Sequence, residues 1–401
     1  MNDKQFSNVT ADWLKGADLN ERKALGQYMT PAYLRDYLLD RISLFPGAKI
    51  LDPAVGTGEF LRSAIEREPR IQAFGWDIDP KILQFAITNV PTASLSELSA
   101  LELPAREEFD FVIGNPPYFE MKLTPEQSSD FSEVVAGRAN IFALFFKVGI
   151  EALKPGGVLA YVVPPSMNNG AYFKALRRFL TKQNHILSVK VFSKSDLFID
   201  AQTSVQVITV KKGKGKSSNV LELPIRGELE PLIFENVPEI ESYYDNSSSL
   251  FDLGYEAVTG NIVWNQHKDS LTNDKSKAKT ALYYARNIAS GNIVLAEDEK
   301  KPQYLNFVPV TKFEGPAILV NRIIGGVGKG VINAAFVPEG EVFCAENHLN
   351  VIRIRKNAIP RVSLPELMNL ISSENTIRTA RLVTGNTQLS ATEWNYLLPF
   401  K

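Results

Sequence analysis

Cysteine is almost absent from this chain: Cys344 is the single one in 401 residues, so no disulfide can form within it. Histidine is nearly as scarce. His185, His267 and His348 are scattered and show no metal-ligand spacing, which with a lone cysteine argues against a zinc site. No apolar run approaches the roughly eighteen residues of a membrane span. The first residues, Met1-Asn2-Asp3-Lys4-Gln5, lack the basic-then-apolar pattern of a signal peptide. A soluble, cytoplasmic protein that does not enter a membrane is expected. An excess of one charge is missing too: 44 Lys and Arg stand against 45 Asp and Glu, a net charge of -1, which excludes an indiscriminate polyanion binder.

What is present suits a folded globular protein, with 44% hydrophobic and 22% charged residues. The length allows two or three domains, each with its own core. The even charge balance hides an asymmetry. Residues 1–212 hold 24 basic and 24 acidic side chains, while Glu222 to Glu256 holds nine acids against Arg226 alone. From Lys268 to Lys401 there are 17 basic and 12 acidic residues, a surplus of five that suits a nucleic-acid groove and equally a solvated surface.

The most informative stretch is Asn115-Pro116-Pro117-Tyr118, which closes the apolar run Phe109-Asp110-Phe111-Val112-Ile113-Gly114. Such a run reads as a buried parallel strand, and two prolines, which cannot donate to a sheet ladder, stop it abruptly. The tetrapeptide therefore lies at a strand's carboxyl end, where open α/β sheets hold their ligands. It offers there a polar amide, a rigid turn and an aromatic wall.

Around it the chain alternates strands and helices. Residues 1–24 are polar and read as an N-terminal arm. Gly26-Gln27-Tyr28-Met29-Thr30-Pro31 precedes Tyr33, Leu34, Tyr37, Leu38 and Ile42 at helical spacing, with Thr30 as the expected N-cap and Pro31 as first helical residue. Next, Ala48 to Asp52 is a strand. Pro53-Ala54-Val55-Gly56-Thr57-Gly58 is a glycine-rich loop, and a helix follows through Ile65. No lysine follows the loop as in a phosphate-binding loop; instead Asp52 precedes it, favouring a ligand with a cationic amino group. A second strand ends at Asp77, placed to accept ribose hydroxyls, and Asp79 before Pro80 reads as a helix cap. A third strand is expected near Ser94 to Leu101. A helix runs Asn140 to Leu153, turning at Lys154-Pro155-Gly156-Gly157 into the strand Val158 to Val163. A helix from Ala171 to Leu180 and strands Ile186 to Phe192 and Thr203 to Lys211 complete the sheet. These elements define a domain over 25–212; residues 213–219, rich in Gly, Lys and Ser, read as a linker. Residues 220–401 lose the strand–helix rhythm and read as a separate α+β domain.

With Asp52 to Gly58, Asp77 and Asn115 to Tyr118 in this order, the first domain resembles the class I S-adenosylmethionine-dependent methyltransferases, a Rossmann-like α/β fold. Gly26 to Pro31 ahead of Asp52, with a large domain behind, is similar to the TaqI-type (gamma-class) adenine-N6 DNA methyltransferases of restriction-modification systems. The resemblance spans about residues 24–211. It implies S-adenosylmethionine as cofactor, with Thr30, Pro31, Asp52, Pro53, Ala54, Gly56 and Gly58 around its methionine part. Asp77 would meet the ribose, and Ile78 and Phe145 the adenine. At Ser99 the family usually has an acid that meets the adenine amino group; Glu97 or Glu102 would have to take its place, or a backbone group. Asn115, Pro116, Pro117 and Tyr118 form the implied catalytic motif, and Phe198 matches an aromatic that packs on a flipped base.

The implied reaction is direct methyl transfer to N6 of a flipped-out adenine in double-stranded DNA, the Asn115 oxygen and Pro116 carbonyl each accepting one N6–H. No cysteine lies near the motif, as a covalent mechanism on cytosine carbon-5 would need. The α+β domain would then recognise the target, with Arg322, Lys329, Arg353, Arg355 and Lys356 as candidate DNA contacts. Gly385 to Ser390 resembles closing segments of such domains. A monomer with a cognate restriction endonuclease elsewhere is expected. Methylation of RNA bases or protein glutamine stays open, as does a catalytically inactive DNA-binding specificity subunit.

Overall fold

The computed structural model describes residues 5–24, 26–102, 107–192, 204–295, 301–309, 311–322, 331–384 and 389–401. The chain divides into two compact units: residues 1–222 with 230–237, and residues 223–229 with 238–401. The first includes the N-terminal segment, and its boundary falls after the glycine- and lysine-rich stretch 213–219.

The first unit opens with helices α1 (Asn8–Gly16), α2 (Leu19–Ala24) and α3 (Ala32–Leu39). Strand β1 (Lys49–Asp52), helix α4 (Glu59–Arg67), β2 (Gln72–Asp77), α5 (Pro80–Asn89) and β3 (Ser94–Glu97) follow. After β4 (Phe109–Gly114) come the short strands β5 (Glu120–Met121) and β6 (Ala139–Asn140) around α6 (Pro125–Asp130). Then α7 (Ile141–Ala152), β7 (Leu153–Val163), α8 (Lys174–Lys182), β8 (Asn184–Phe192) and β9 (Val205–Lys212) complete the element series. The seven-stranded sheet has the order β3-β2-β1-β4-β7-β9-β8. β9 runs antiparallel to both neighbours, and the other pairings are parallel. Strand order reverses between β1 and β4, so the loops leaving their carboxyl ends part to form a crevice. This topology is that of a class I methyltransferase domain.

Periodicity explains the layers. Ile50, Leu51, Val112 and Ile113 are fully buried because helices cover both faces of the central strands. Helix α7 is apolar nearly all round and buries Phe142, Leu144, Phe145 and Phe146 beneath β4 and β7. At about 1.5–3 kcal/mol per fully buried large side chain, this helix anchors the β4 side of the crevice.

Two local expectations are corrected. α3 starts one residue late: Pro31 is the N-cap and Ala32 the first helical residue, with no side-chain cap bond. Thr30 is instead drawn inward; its carbonyl accepts from Arg35 Nη1 at 2.6 Å. The segment Lys154 to Gly157 is no separate turn either. Strand β7 begins at Leu153, opposite Phe109, with an irregularity in the pairing before Val158.

The second unit has an antiparallel four-stranded sheet in the order Tyr255–Thr259, Leu349–Ile354, Ala317–Asn321, Ala334–Val337. Helix Leu364–Ser372 packs on it around Trp394, and helix Glu374–Thr384 adjoins them. A mixed five-stranded sheet contains Thr280–Tyr283 at its centre beside Val342–Ala345. Among the described residues, no helix is long and apolar enough to cross a membrane, and no cluster of His, Cys, Asp and Glu could hold a metal ion. Cys344 is buried and free.

Candidate active site

The crevice at the β1/β4 switch point is a cavity of about 360 Å³. Its walls come from four segments: Gly26 to Thr30, the β1–α4 loop with Asp52 to Thr57, the end of β2 with Asp77 and Ile78, and Asn115 with Pro117. Ser99, Leu101, Phe119, Ile141 and Phe145 complete it. The structure thus gathers residues more than a hundred positions apart into one chamber.

Asp52 sits at its floor, 2% exposed, with Oδ1 accepting the Ala54 amide at 3.1 Å. Burial and the nearby charge of Asp77 push its carboxyl up to about 8. Gly114 makes room for this carboxylate. A Cβ there would stand 2.6 Å from Asp52 Oδ1, and the residue's φ of +148° is one that side chains rarely adopt. Asp77 accepts the Gly56 amide at 2.9 Å and the Asp79 amide at 3.0 Å, and burial raises its carboxyl above the usual range. Asp79 caps α5 through the Lys81 amide and also receives Gln27 Nε2 at 3.1 Å. One aspartate thus shapes the glycine loop, and the other ties it to the Gly26 segment.

Gly26 approaches the Asn-Pro-Pro-Tyr turn so closely that a Cβ would come 3.0 Å from the Tyr118 nitrogen. Next to it, the Tyr28 carbonyl accepts Asn115 Nδ2 at 2.9 Å. A carbonyl can only accept, so this bond fixes the amide's orientation: Nδ2 faces Tyr28, and Oδ1 is left as an acceptor. The Tyr118 hydroxyl is the donor shared between Asn115 Oδ1 and the Val162 carbonyl, 2.8 Å from the latter, so Oδ1 keeps one lone pair for a further donor. Burial lifts that hydroxyl well above its usual range, so it stays a proton donor. Its ring packs edge-on against Phe142, centroids 6.2 Å apart. Pro116 is buried in the same turn.

S-adenosylmethionine carries an ammonium and carboxylate, a ribose and a flat adenine, and the cavity offers a counterpart to each. Asp52 is a buried acid with no cationic partner among the described residues. Thr30 is 4% exposed, and its hydroxyl has no hydrogen-bond partner among them, an unsatisfied polar atom at the cavity wall. Asp77 ends β2, where nucleotide-binding α/β folds hold an acid for ribose hydroxyls, and α4 has Gly58 as its N-cap without a side-chain cap bond. Ile78 is 64% exposed while Phe145 is 6% exposed, and both line the chamber; an aliphatic side chain so open is suited to cover a flat ring. The residues present therefore fit the cofactor. Ser99 is at the wall, so no acid stands at that position.

The chamber is braced from behind by residues that sequence reasoning missed. Glu59, first residue of α4, bonds Arg35 at 2.9 Å, Arg62 at 3.0 Å and the Ser7 amide at 2.8 Å. Arg35 also bonds the Thr30 carbonyl and Ser63 Oγ. Thr10 of α1 donates to Thr57 at 2.8 Å, which contacts Met29 Sδ at 3.4 Å. The polar N-terminal segment is thereby part of the site's support. A glutamate at the first position of a helix was the available signal.

Phe198 and Lys329 lie outside the described residues, as do residues 385–388 of the closing segment. The other four basic candidates are not brought together. Arg322 follows strand Ala317–Asn321, its amide donating to the His348 carbonyl just before strand Leu349–Ile354. Arg353 and Arg355 are at that strand's end, about 20 Å away at the rise of a strand. Arg353 is paired with Glu256 at 2.9 Å, Arg355 lies 4.0 Å over the Phe251 ring, and Lys356 is exposed.

Residues 68–198 match the family described as Eco57I restriction-modification methylase. Over 364 residues the chain is 25% identical to the modification methylase CviBIII of Paramecium bursaria Chlorella virus NC1A, covering 88% of this chain and 89% of that protein. It is 24% identical over 356 residues to the type II methyltransferase M.CvrRI of Paramecium bursaria Chlorella virus XZ-6E, covering 87% and 88%. A class I S-adenosylmethionine-dependent methyltransferase structure from Listeria monocytogenes superposes with a TM-score of 0.44 at 24% identity, over 51% of this chain and 65% of that one. The first unit thus has the class I methyltransferase fold, residues 68–198 within it match the Eco57I restriction-modification methylase family, and the cofactor is S-adenosylmethionine.

Proposed function

We propose that this protein is a sequence-specific DNA methyltransferase that transfers a methyl group from S-adenosylmethionine to N6 of a flipped-out adenine, with the second unit recognising the target. The observation that carries the reading is the orientation of Asn115: with Nδ2 committed to the Tyr28 carbonyl, Oδ1 is the acceptor, and beside the Tyr118 hydroxyl it keeps a second lone pair for a ligand in the cavity that Asn115 lines. An exocyclic amino group, with two N–H donors and a lone pair delocalised into its ring, is the complementary partner.

The bound cofactor supplies a sulfonium methyl as electrophile. Asp52, Thr30 and Asp77 hold the cofactor's polar groups, and Ile78 with Phe145 enclose its adenine. Asn115 Oδ1 and the Pro116 carbonyl accept the two hydrogens of the target nitrogen and turn its lone pair toward the methyl. Tyr118, anchored by its hydroxyl, bounds the space for the base. Orientation of this kind supplies about 7–11 kcal/mol of a barrier. Flipping the base costs a few kcal/mol, which stacking on an aromatic side chain offsets in part. The names of the relatives, a modification methylase and a type II methyltransferase, support DNA as substrate.

Incubation of the full chain with methyl-labelled S-adenosylmethionine and mixed-sequence duplex DNA, then nucleoside analysis, tests this reading. N6-methyladenine is expected. Label on cytosine would keep the chemistry and change the base; label only on RNA or on a protein glutamine would overturn the DNA assignment. Failure of calorimetry to register S-adenosylmethionine binding would favour an inactive specificity subunit.

A further inference from the structure

In the second unit an exposed histidine is held by a buried carboxylate. Glu346 is 2% exposed, and among the described residues His348 is the one basic side chain that pairs with it. Its Oε2 accepts the His348 amide at 3.0 Å and its Oε1 meets His348 Nδ1 at 2.6 Å, while the His348 side chain is 50% exposed. The turn that carries them, between strands Val342–Ala345 and Leu349–Ile354, is pinned by backbone bonds. The Glu346 amide donates to the Tyr283 carbonyl, that of Asn347 to the Ile262 carbonyl and that of Leu349 to the Glu346 carbonyl, each at 2.9 Å. Arg322 stands opposite His348, one step beyond the last ladder pair, Asn321 with Leu349. Its amide donates to the His348 carbonyl at 2.8 Å, and its Nη1 reaches the Asn347 carbonyl at 3.4 Å. Arg322 Nε is enclosed and has no hydrogen-bond partner among the described residues.

The fold by itself does not call for a charge at this place. A glutamine at 346 would accept the same backbone amide without the cost of burying a carboxylate. What the carboxylate adds is control of the imidazole. A carboxylate only accepts, so Nδ1 carries the ring hydrogen, and Nε2 is left as the acceptor of the neutral ring. Arg322 beside it supplies donors, since among the described residues its side chain is engaged through Nη1 alone. A fixed acceptor next to a donor matches a base edge. In the major groove adenine shows N7 beside N6–H, and a G·C pair shows O6 beside N4–H. A phosphate offers acceptors only and leaves Nε2 unanswered.

We propose that His348, oriented by Glu346, reads a base edge of the target DNA together with Arg322. The inference rests on the DNA reading above and names a specificity-determining residue that sequence reasoning did not choose. His348 and its carboxylate acquire this role only from the burial of Glu346 and from the strand opposite. A side chain backed by a pinned turn and a second hydrogen bond is preorganised, as direct readout of a base requires. Glu346 is a positioning residue, since it touches the imidazole and not the base.

The test uses the full chain with S-adenosylmethionine. Sequencing of methylated DNA from an expressing host first identifies the target, and kcat/KM is then measured on that site and on each of its single-base variants. His348→Ala should relax discrimination at one base pair by about ten- to a hundredfold. Discrimination at the other pairs, S-adenosylmethionine affinity and melting temperature should hold. Glu346→Gln should relax the same pair, and Glu346→Gln/His348→Ala should be no worse there than His348→Ala, a non-additivity that a merely structural glutamate would not produce. The slope of log affinity against log salt should stay at its wild-type value, because a base contact releases no phosphate counterion. Wild-type discrimination at every pair in His348→Ala overturns the proposal while leaving DNA methylation standing. A uniform loss on all duplexes, with a slope shallower by about 0.9, assigns His348 to a phosphate and overturns it as a base contact. A wild-type chain that methylates no DNA overturns both readings.

Discussion

The guanidinium of Arg35 meets the carboxylate of Glu59 at 2.9 Å, with the two side chains 2% and 5% exposed, directly behind the cofactor chamber. The pair joins three parts of the site in one place: the Thr30 carbonyl, the first turn of α4 and the N-terminal segment at Ser7. Removing one partner of a buried pair leaves an uncompensated charge, at a cost of about 3–5 kcal/mol. Arg35→Met should approach the lower end, because Arg62 still neutralises Glu59. Urea unfolding should register the loss. Arg35→Met/Glu59→Leu should recover much of the stability, yet calorimetry should still find weakened S-adenosylmethionine binding, since Thr30 and the loop lose their common tie.

Asn115→Ala should leave affinity for cofactor and duplex DNA near wild type and reduce turnover by about 10²–10³-fold, the scale of losing one aligned polar group at a reacting centre. Asn115→Asp should be the less stable of the two, because it sets a carboxylate oxygen against the Tyr28 carbonyl where Nδ2 now donates. Single-turnover rates and thermal melts separate these effects. A large fall in binding by Asn115→Ala would make the residue structural.

Asp52 has its carboxyl raised from 3.8 to about 8 in the folded protein. A raised carboxyl pKa favours the folded state at low pH, and that advantage is lost as pH climbs from about 4 to about 8. Asp52→Asn removes the titration. Its melting temperature should exceed wild type most at pH 8 and above, with the gap closing toward pH 4, while S-adenosylmethionine affinity falls sharply. In wild type, pairing with a ligand ammonium requires the ionised form, so binding at pH 7 should release close to one proton. Calorimetry in two buffers of different ionisation enthalpy measures that proton.

Thr30→Val replaces a buried, unpartnered hydroxyl by a methyl of similar size. Folding stability without cofactor should hold or rise, since an unsatisfied buried polar group costs about 1–3 kcal/mol. Affinity for S-adenosylmethionine should drop up to about tenfold, the equivalent of one net hydrogen bond. Equal affinity in the two proteins would remove Thr30 from the cofactor contacts.

What the sequence determined by itself lies in short segments. The apolar runs 49–52, 72–77 and 109–114, each ended by Asp, Gly or Pro, specify strands with ligand loops because local sterics and hydrophobic periodicity act within a few residues. The places of Asp52, Asp77 and Asn115 at strand ends were legible for that reason, as was the α+β character of the second unit. The start of α3 was misjudged because Thr30 gives its carbonyl to Arg35, a contact a local capping rule does not contain. Only tertiary structure decided the rest. The Tyr28 carbonyl orients Asn115 across 87 positions, Glu59 gathers Arg35 and Ser7, and Lys301 reaches rings at Trp264 and Tyr284. Hydrogen bonds, ion pairs and cation–π contacts act over a few ångströms of space without regard to chain separation. Which distant groups come within that range follows from strand order and packing.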